Sequence, residues 1–340
     1  MLRNHVKNLI AELLYRSGLS GLLIRGMFRN RSVVLTYHRV LPSVERASSF
    51  SHAAIMVEPA IFERHLVVLA RYFDCLTLDE LGARTLSGRR SAKPGCLITF
   101  DDAWQDNYVH AFGILKKWRV PAVVFVPTDY IGTERLFWQE RLGHLVEQIC
   151  SGKPADAAHI LRDYGWAHLA EIPLHQRGDA IKDSIRAIKH KTYDEIDRMI
   201  AKLTAVLDHV TPDHGPDRYL SVAQMREMMD SGISFQSHGC SHRILSRLSA
   251  EELEQELRRS RHWLQEQLGS EPTALAYPNG DHDPAVLSGA RRTGYSLAFT
   301  TVPGRVDGGS DPLALRRINI NDNAAGSEAR LLMTLLLSGR

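Results

Sequence analysis

Two adjacent acids, Asp101 and Asp102, follow the apolar run Leu97–Phe100 in the stretch LITFDDAWQDNY. Neighbouring carboxylates at the end of a strand repel each other and contribute nothing to a core, so their reason lies outside packing. A divalent cation would supply one. One carboxylate binds the cation, which removes the repulsion, and the other stays free to accept a proton from a water that the cation acidifies. The stretch SHGCSH offers the further donors, His238 and His242. Imidazoles at i and i+4 can share one face of a helical turn, and two His with one acid leave positions open for water and substrate. Such a set suits catalytic Zn²⁺, and also Fe²⁺, Co²⁺ or Ni²⁺. Each motif alone is weak. Sixteen His make chance HxxxH pairs common, and an Asp pair after a strand also reads as a helix N-cap with a first-turn acid.

The two motifs gain weight from the elements that must position them. Short β-rich runs at 32–38, 95–100, 121–128, 233–238, 273–278 and 296–301 read as strands. Helical patterns fill 58–73, 106–119, 221–232, 249–269 and 283–294, with Ser249 as a cap and Gly269 as a stop. This β-α-β-α rhythm predicts a parallel sheet with helices outside it, either a barrel or a doubly wound sheet. Functional groups in such folds collect at the C-terminal ends of strands. His38, the Asp pair, His238 and Tyr277–Pro278 all fall at such ends, so groups from four strands are expected in one mouth. About 138–217 breaks the rhythm with helical patterns and no convincing strand, and is too long for a loop. It reads as a helical insertion between two strands. Its cations Arg177, Lys182, Arg186, Lys189 and Lys191 are either solvated helix faces or a meeting place for an anionic part of a substrate. A last helix is expected over 323–340.

Composition narrows the class. The chain has 340 residues, 44% hydrophobic and 24% charged, with a net charge of +3 that is too small to argue for nucleic acid. Cys75, Cys96, Cys150 and Cys240 are scattered without a CxxC pair, which gives neither a disulfide framework nor a structural zinc knuckle and fits a reducing compartment. Residues 1–31 place apolar residues at helical spacing, interrupted by Glu12, Arg16 and Arg25. They show neither the unbroken apolar stretch and small-residue cleavage site of a signal peptide nor a membrane span. Up to Arg39, seven cations stand against Glu12 alone. The segment is expected as a helix packed on the domain, with a basic amphipathic helix resting on an anionic membrane surface as the alternative. The expected location is the cytoplasm or the cytoplasmic face of the membrane.

TFDD, then SHGCSH, then AYPNG, in that order and in those strand contexts, resemble the polysaccharide deacetylase family, also called the NodB homology domain or carbohydrate esterase family 4, over roughly 32–320. VVLTYHRVLP and FWQERL resemble a bacterial subgroup that makes surface polysaccharides. The resemblance implies an α/β fold, a distorted and incomplete (β/α) barrel over 32–322 interrupted by the insertion. It implies a divalent metal, usually zinc, and removal of N-acetyl groups, in some members O-acetyl groups, from amino sugars. Carried over by position, it makes Asp101 the general base and Asp102, His238 and His242 the metal ligands. Tyr277, Pro278 and Asn279 become groove residues with a backbone N–H for the oxyanion, and Trp138 of FWQERL a further substrate-binding candidate.

Departures from the family pattern carry their own expectations. Ala103 stands where the family usually has Gly, so a positive φ there would be strained. Ala276 stands where many members have an Arg that steadies the base, so Arg317 of LRRINI is expected in that role, with Arg316 second. A late Leu-x-His, which supplies the general acid in many members, is missing. His38, on the first strand as in members with permuted strand order, is therefore assigned the acid. Cys240, two residues from each His, turns away if the turn is helical, and His282 and Asp283 read as loop and cap residues. The expected function is a metal-dependent hydrolase that removes an N-acetyl, O-acetyl or formyl group from an amino sugar in a bacterial surface polysaccharide or its lipid-linked precursor. The expected partners are that carbohydrate, lipid-linked or not, and peripheral contact with the inner membrane, with no nucleic acid. The alternatives are a metal-dependent amidase acting on a small non-sugar amide and a catalytically inactive carbohydrate-binding protein on the same barrel.

Overall fold

SVVLTY is buried along its whole length, as a strand covered on both faces must be, and forms β1 (Ser32–Tyr37). The computed structural model describes residues 2–87, 93–207 and 214–338. The chain divides into two units. One comprises Met1–Leu41, Ala54–Thr133 and Tyr219–Arg340; the other comprises Pro42–Ala53 and Glu134–Arg218.

The first unit is built on a parallel sheet of β1, β2 (Asp74–Cys75), β3 (Gly95–Phe100), β4 (Ala122–Val126), β5 (Ile233–Ser237), β6 (Ala274–Ala276), β7 (Leu297–Phe299) and β8 (Ile318–Asn319). The strand order is β8-β1-β3-β4-β5-β6-β7, with β2 also beside β3. β1 and β3 pair from Ser32–Gly95 to Tyr37–Phe100, so His38 and Asp101 leave the sheet at the same level. The far edge of β3 is shared by β2 at its start and β4 at its end, and the sheet curls. Between β7 and β8 the chain offers an isolated bridge, Phe299–Leu315, and an Arg317 N–H to Val302 carbonyl bond in place of a strand. The result is the half-barrel expected, with Val34, Leu97, Val123, Phe125, Ala276 and Phe299 in one apolar cluster.

Around the sheet lie α1 (Leu2–Arg16), α2 (Leu19–Met27), α3 (Pro59–Tyr72), α4 (Leu78–Ser87) and α5 (Gly113–Trp118), the last entered through a π-helical stretch at Asn107–Phe112. The second unit holds α6 (Trp138–Cys150), α7 (Pro154–Leu161), α8 (Leu174–Ala187) and α9 (Tyr193–Ala205). The first unit resumes with α10 (Val222–Met229), α11 (Ala250–Leu268), α12 (Pro284–Thr293) and α13 (Glu328–Leu337). Ser249 accepts from the Glu252 N–H at the start of α11, and Gly269 takes the left-handed conformation at its end, as their types require. The N-terminal segment is two helices, not one, broken at Gly18. The C-terminal helix is shorter than 323–340: a turn at Asp322–Ala325 precedes α13, which Ser327 caps, and residues 339–340 lie outside the described residues. No helix among the described residues is long and apolar enough to cross a membrane.

The second unit has its own core, with Leu142, Val146, Ile181, Ile185, Ile200 and Leu203 among its members, and no strand among its described residues. Its bounds are wider than the predicted insertion, because Pro42–Ala53 joins it. The reason is a buried carboxylate. Asp217 accepts from the Ser49 hydroxyl at 2.6 Å and the Phe50 N–H at 2.9 Å, which binds that distant segment in.

Candidate active site

Four parallel strands deliver the candidate residues to one end of the first unit's sheet. β1 ends before His38, β3 before Asp101, β5 before His238 and β6 before Tyr277. Asp102 Oδ1 lies 3.5 Å from His238 Nε2 and 3.2 Å from His242 Nε2. These three side chains are the only group of His, Cys, Asp or Glu among the described residues whose donor atoms gather within 4.8 Å of one another. Ligands about 2.1 Å from a shared cation sit roughly 3–3.4 Å apart, so the donor set and its spacing fit a divalent ion. His238 Nδ1–H donates to the Ala276 carbonyl at 2.7 Å, which fixes the ring with Nε2 toward Asp102. Trp104 Nε1–H donates to the other oxygen, Asp102 Oδ2, at 3.1 Å. Asp102 is thereby held from one side and presented on the other.

The loop carrying both imidazoles is not the helical turn expected. Gly239 and His242 both have positive φ, +75° and +56°. The buried Glu256 carboxylate of α11 accepts the N–H groups of Cys240 at 2.6 Å and Ser241 at 3.1 Å. A spacing of four suits this bound loop as well as a helix. Cys240 does turn away, but for this reason: its Sγ donates to the Glu256 carbonyl.

Asp101 is paired rather than free. Arg317 Nη1 and Nη2 each donate to a separate carboxylate oxygen at 2.7 Å, and both side chains are buried. Arg317 is itself fixed by its Nε–H to the Thr300 carbonyl at 2.9 Å. Burial pushes the Asp101 carboxyl up, and the Arg317 guanidinium and His238 more than offset it, so the group is held below the usual carboxylate range. Burial also pushes Asp102 up, but its hydrogen bonds to His238 and His242 hold it well below that range. His38 Nε2 lies 3.9 Å from Asp101 Oδ2. Burial lowers the His38 pKa against the pull of the two acids, and its Nδ1 has no hydrogen-bond partner among the described residues.

Residues that sequence reasoning passed over support this end of the barrel. Asp106 accepts from Arg39 Nε and from the Val40 N–H, both at 2.8 Å, and Asn107 donates to the His38 carbonyl at 2.8 Å. Arg39 is fully buried and lies 4.2 Å over the Trp104 ring, which stacks on Tyr219 at 4.7 Å. The signal was the rest of the opening stretch, AWQDN, whose polar residues had no task in the sequence reading. Ala103 does adopt positive φ, +55°, as does Asp102, +75°. The site therefore carries backbone strain where glycine would carry none.

Other candidates need correction. Tyr277 is fully buried, its hydroxyl donates to the Leu313 carbonyl at 2.8 Å, and its ring stacks on His282 at 5.1 Å. Pro278 is buried too, so neither side chain lines an open groove, whereas Asn279 is exposed. The Tyr277 N–H is spent on the Phe299 carbonyl at 3.0 Å and Pro278 has none, so an oxyanion donor from this motif would have to be Asn279. Gly280 closes the motif because a Cβ there would meet Thr301 at 2.1 Å. Trp138 belongs to the second unit, where it packs against that unit's apolar cluster. Four of that unit's cations have carboxylate partners of their own: Arg177 with Glu147 at 3.2 Å, Lys182 with Asp179 at 3.7 Å, Lys191 with Glu195 at 4.0 Å, and Arg186 with Asp183.

A half-barrel thus presents an Asp-His-His cluster and a second, Arg-bound Asp at its strand ends, the layout of a hydrolase site. Residues 88–298 match the family model described as polysaccharide deacetylase, and the chain belongs to that family. Among curated proteins it is 23% identical over 288 residues to YxkH of Bacillus subtilis (strain 168), assigned to the polysaccharide deacetylases, covering 84% of this chain and 74% of that one. Among solved structures it resembles the Streptococcus pyogenes deacetylase PplD in complex with acetate, with 24% identity, TM-score 0.58, and 90% of this chain and 98% of that one covered. IcaB from Ammonifex degensii is similar at 20% identity and TM-score 0.58, over 89% and 97% of the two chains. These likenesses bear out the expected barrel. Family membership supports a hydrolase that deacetylates a carbohydrate.

Proposed function

We propose that the chain is a metal-dependent hydrolase that removes N-acetyl groups from an amino sugar of a bacterial surface polysaccharide or its lipid-linked precursor. The observation that carries this reading is the division of the Asp pair: Asp102 faces His238 and His242, while Asp101 beside it is bound by Arg317. Asp102, His238 and His242 would hold a divalent cation, zinc first and Co²⁺, Ni²⁺ or Fe²⁺ after it. When bound, it supplies positive charge that acidifies a neighbouring water and polarises an acyl carbonyl.

Asp101 takes the proton of the attacking water, and Arg317 orients its carboxylate for that task. His38, 3.9 Å from Asp101 Oδ2, receives that proton and delivers it to the departing nitrogen at Nε2. Asn279 is the candidate backbone donor to the oxyanion. The products are acetate and a free amine, so the glycan gains positive charge. Four free thiols suit a reducing compartment, which supports a substrate met on the cytoplasmic side.

The test is acetate release from N-acetylated sugars, oligosaccharides, lipid-linked amino sugars, their O-acetylated analogues and small non-sugar acetamides, with formate release followed for N-formylated analogues. Turnover of the sugars is expected. Turnover confined to small non-sugar amides would replace the carbohydrate reading with an amidase, and no hydrolysis by the metal-loaded protein would leave a binding protein.

A further inference from the structure

The N-terminal helices are amphipathic the wrong way round for a surface in water. α2 turns Ser20, Gly21 and Ile24 inward and leaves Leu19, Leu22 and Leu23 exposed, Leu22 at 67%. α1 buries Ala11 and exposes Leu9 at 62% and Leu13 at 61%. A helix against a core normally buries its large apolar residues and shows its small polar ones. Of the fifteen large apolar side chains exposed among the described residues, seven lie in these two helices, so they form a patch instead of a scatter.

Packing fixes this orientation. A Cβ on Gly21 would come within 2.7 Å of the Tyr72 ring, so α2 lies against α3 only with its glycine inward. Phe28, just past α2, is fully buried edge-on against Phe73 at 5.8 Å. Arg305 lies 4.3 Å over the Phe28 ring and donates to the Met27 carbonyl at 3.0 Å. On α1, the Tyr15 hydroxyl donates to Glu328 of α13. Rolling either helix to bury its leucines would break these contacts.

The charge around the patch selects the occupant. Residues 1–31 carry Arg3, Lys7, Arg16, Arg25, Arg29 and Arg31 against Glu12 alone. Arg16, Arg25 and Arg29 are exposed on or just past the same two helices, Arg16 with Glu12 as its partner at 2.7 Å. A second copy docked on this face would bring like charges together across a two-fold axis. An anionic bilayer meets both features: leucines enter the boundary between headgroups and acyl chains, and arginines reach the lipid phosphates with their stems along the apolar face.

We infer that the α1–α2 face docks the protein on an anionic lipid bilayer, with Leu9, Leu13, Leu19, Leu22 and Leu23 as the inserted face. This surface is independent of the deacetylase reading, and vesicle binding itself is read without a substrate. The full chain is co-sedimented with vesicles of phosphatidylglycerol mixed with phosphatidylcholine, and with phosphatidylcholine alone. Sedimentation with the mixed vesicles only is expected. Leu13→Glu/Leu22→Glu, with a circular dichroism spectrum and a thermal unfolding midpoint matching wild type, should abolish it. Arg16→Gln/Arg25→Gln/Arg29→Gln should weaken it about a hundredfold, since each cation near such a surface contributes roughly fivefold. The arginine variant also keeps the test open if the glutamates prevent folding. Equal binding to both vesicle types would overturn the inference. So would full binding by either folded variant, or a dimer that Leu13→Glu/Leu22→Glu dissociates in a protein that ignores vesicles.

Discussion

Arg317→Met asks whether one buried ion pair holds the base. Methionine keeps much of the length of the side chain and none of its donors. The wild-type guanidinium makes two 2.7 Å bonds, one to each oxygen of Asp101, and neither side chain is more than 3% exposed. Removing one partner of such a pair strands a buried charge, which typically costs about 3–5 kcal/mol. In a folding unit of this size that lowers Tm by on the order of 10 °C. The loss depends on pH. In wild type Asp101 has a depressed pKa, so the pair stabilises the fold above the ordinary carboxylate pKa and that contribution fades as acid protonates the group. In Arg317→Met burial acts unopposed by the guanidinium, the carboxyl rises, and the acid limb of kcat/KM moves to higher pH. Arg317→Met/Asp101→Asn removes both charges and should regain most of the lost stability while remaining inactive. Thermal unfolding and a pH profile of acetate release check both parts. An Arg317→Met protein within about 1 kcal/mol of wild type, well below the cost of a broken buried pair, would refute the reasoning. A double variant no more stable than the single one would do the same.

Three further outcomes follow from particular contacts. Trp104→Phe keeps a ring against Tyr219 but loses the indole N–H to Asp102, so cation affinity should fall about 10–100-fold in a chelator competition; unchanged affinity would deny Trp104 its orienting role. His38→Ala should slow amide cleavage about 10²–10⁴-fold and hydrolysis of an activated ester much less, because that leaving group needs no proton; equal losses would remove His38 as the acid. His65 is buried between the Tyr37 hydroxyl at 3.1 Å and the Ala325 carbonyl at 2.6 Å, and burial holds its pKa down at about 4 against 6.5. The unfolded chain therefore binds a proton that the folded one refuses: stability is complete above pH 6.5 and falls by about 3 kcal/mol toward pH 4. A stability profile between those limits no steeper in wild type than in His65→Gln would contradict this.

The sheet was legible where its strands are continuous apolar runs. GCLITF forms a strand at the predicted bounds, 95–100, and ISFQSH ends one residue early. β2 and β8 are two residues long and carry no period to read. The Asp-His-His cluster was visible as residue types at strand ends, but its local form was not. A spacing of four looks helical until Glu256, 16 positions beyond Cys240, is seen holding the loop. The pairing of Arg317 with Asp101 spans 216 positions, and only the family pattern, with Ala276 where an Arg was due, pointed to it. Trp104 and the buried Tyr277 show the limit from both sides. An aromatic beside a motif turned out to hold the Asp102 carboxylate, and an aromatic inside one turned out to be core. Nothing local in Pro42–Ala53 foretells that Asp217 will bind it into the second unit.

The division of labour between the two acids is tested most directly by measuring metal content and acetate release together on purified wild type, His242→Ala, Asp102→Asn and Asp101→Asn. Wild type should hold a stoichiometric divalent cation and release acetate. His242→Ala and Asp102→Asn should lose both, and Asp101→Asn should keep the cation while its rate collapses. Cation loss in Asp101→Asn with retention in Asp102→Asn would reverse the two roles, and a cation level indifferent to all three substitutions would contradict the site itself.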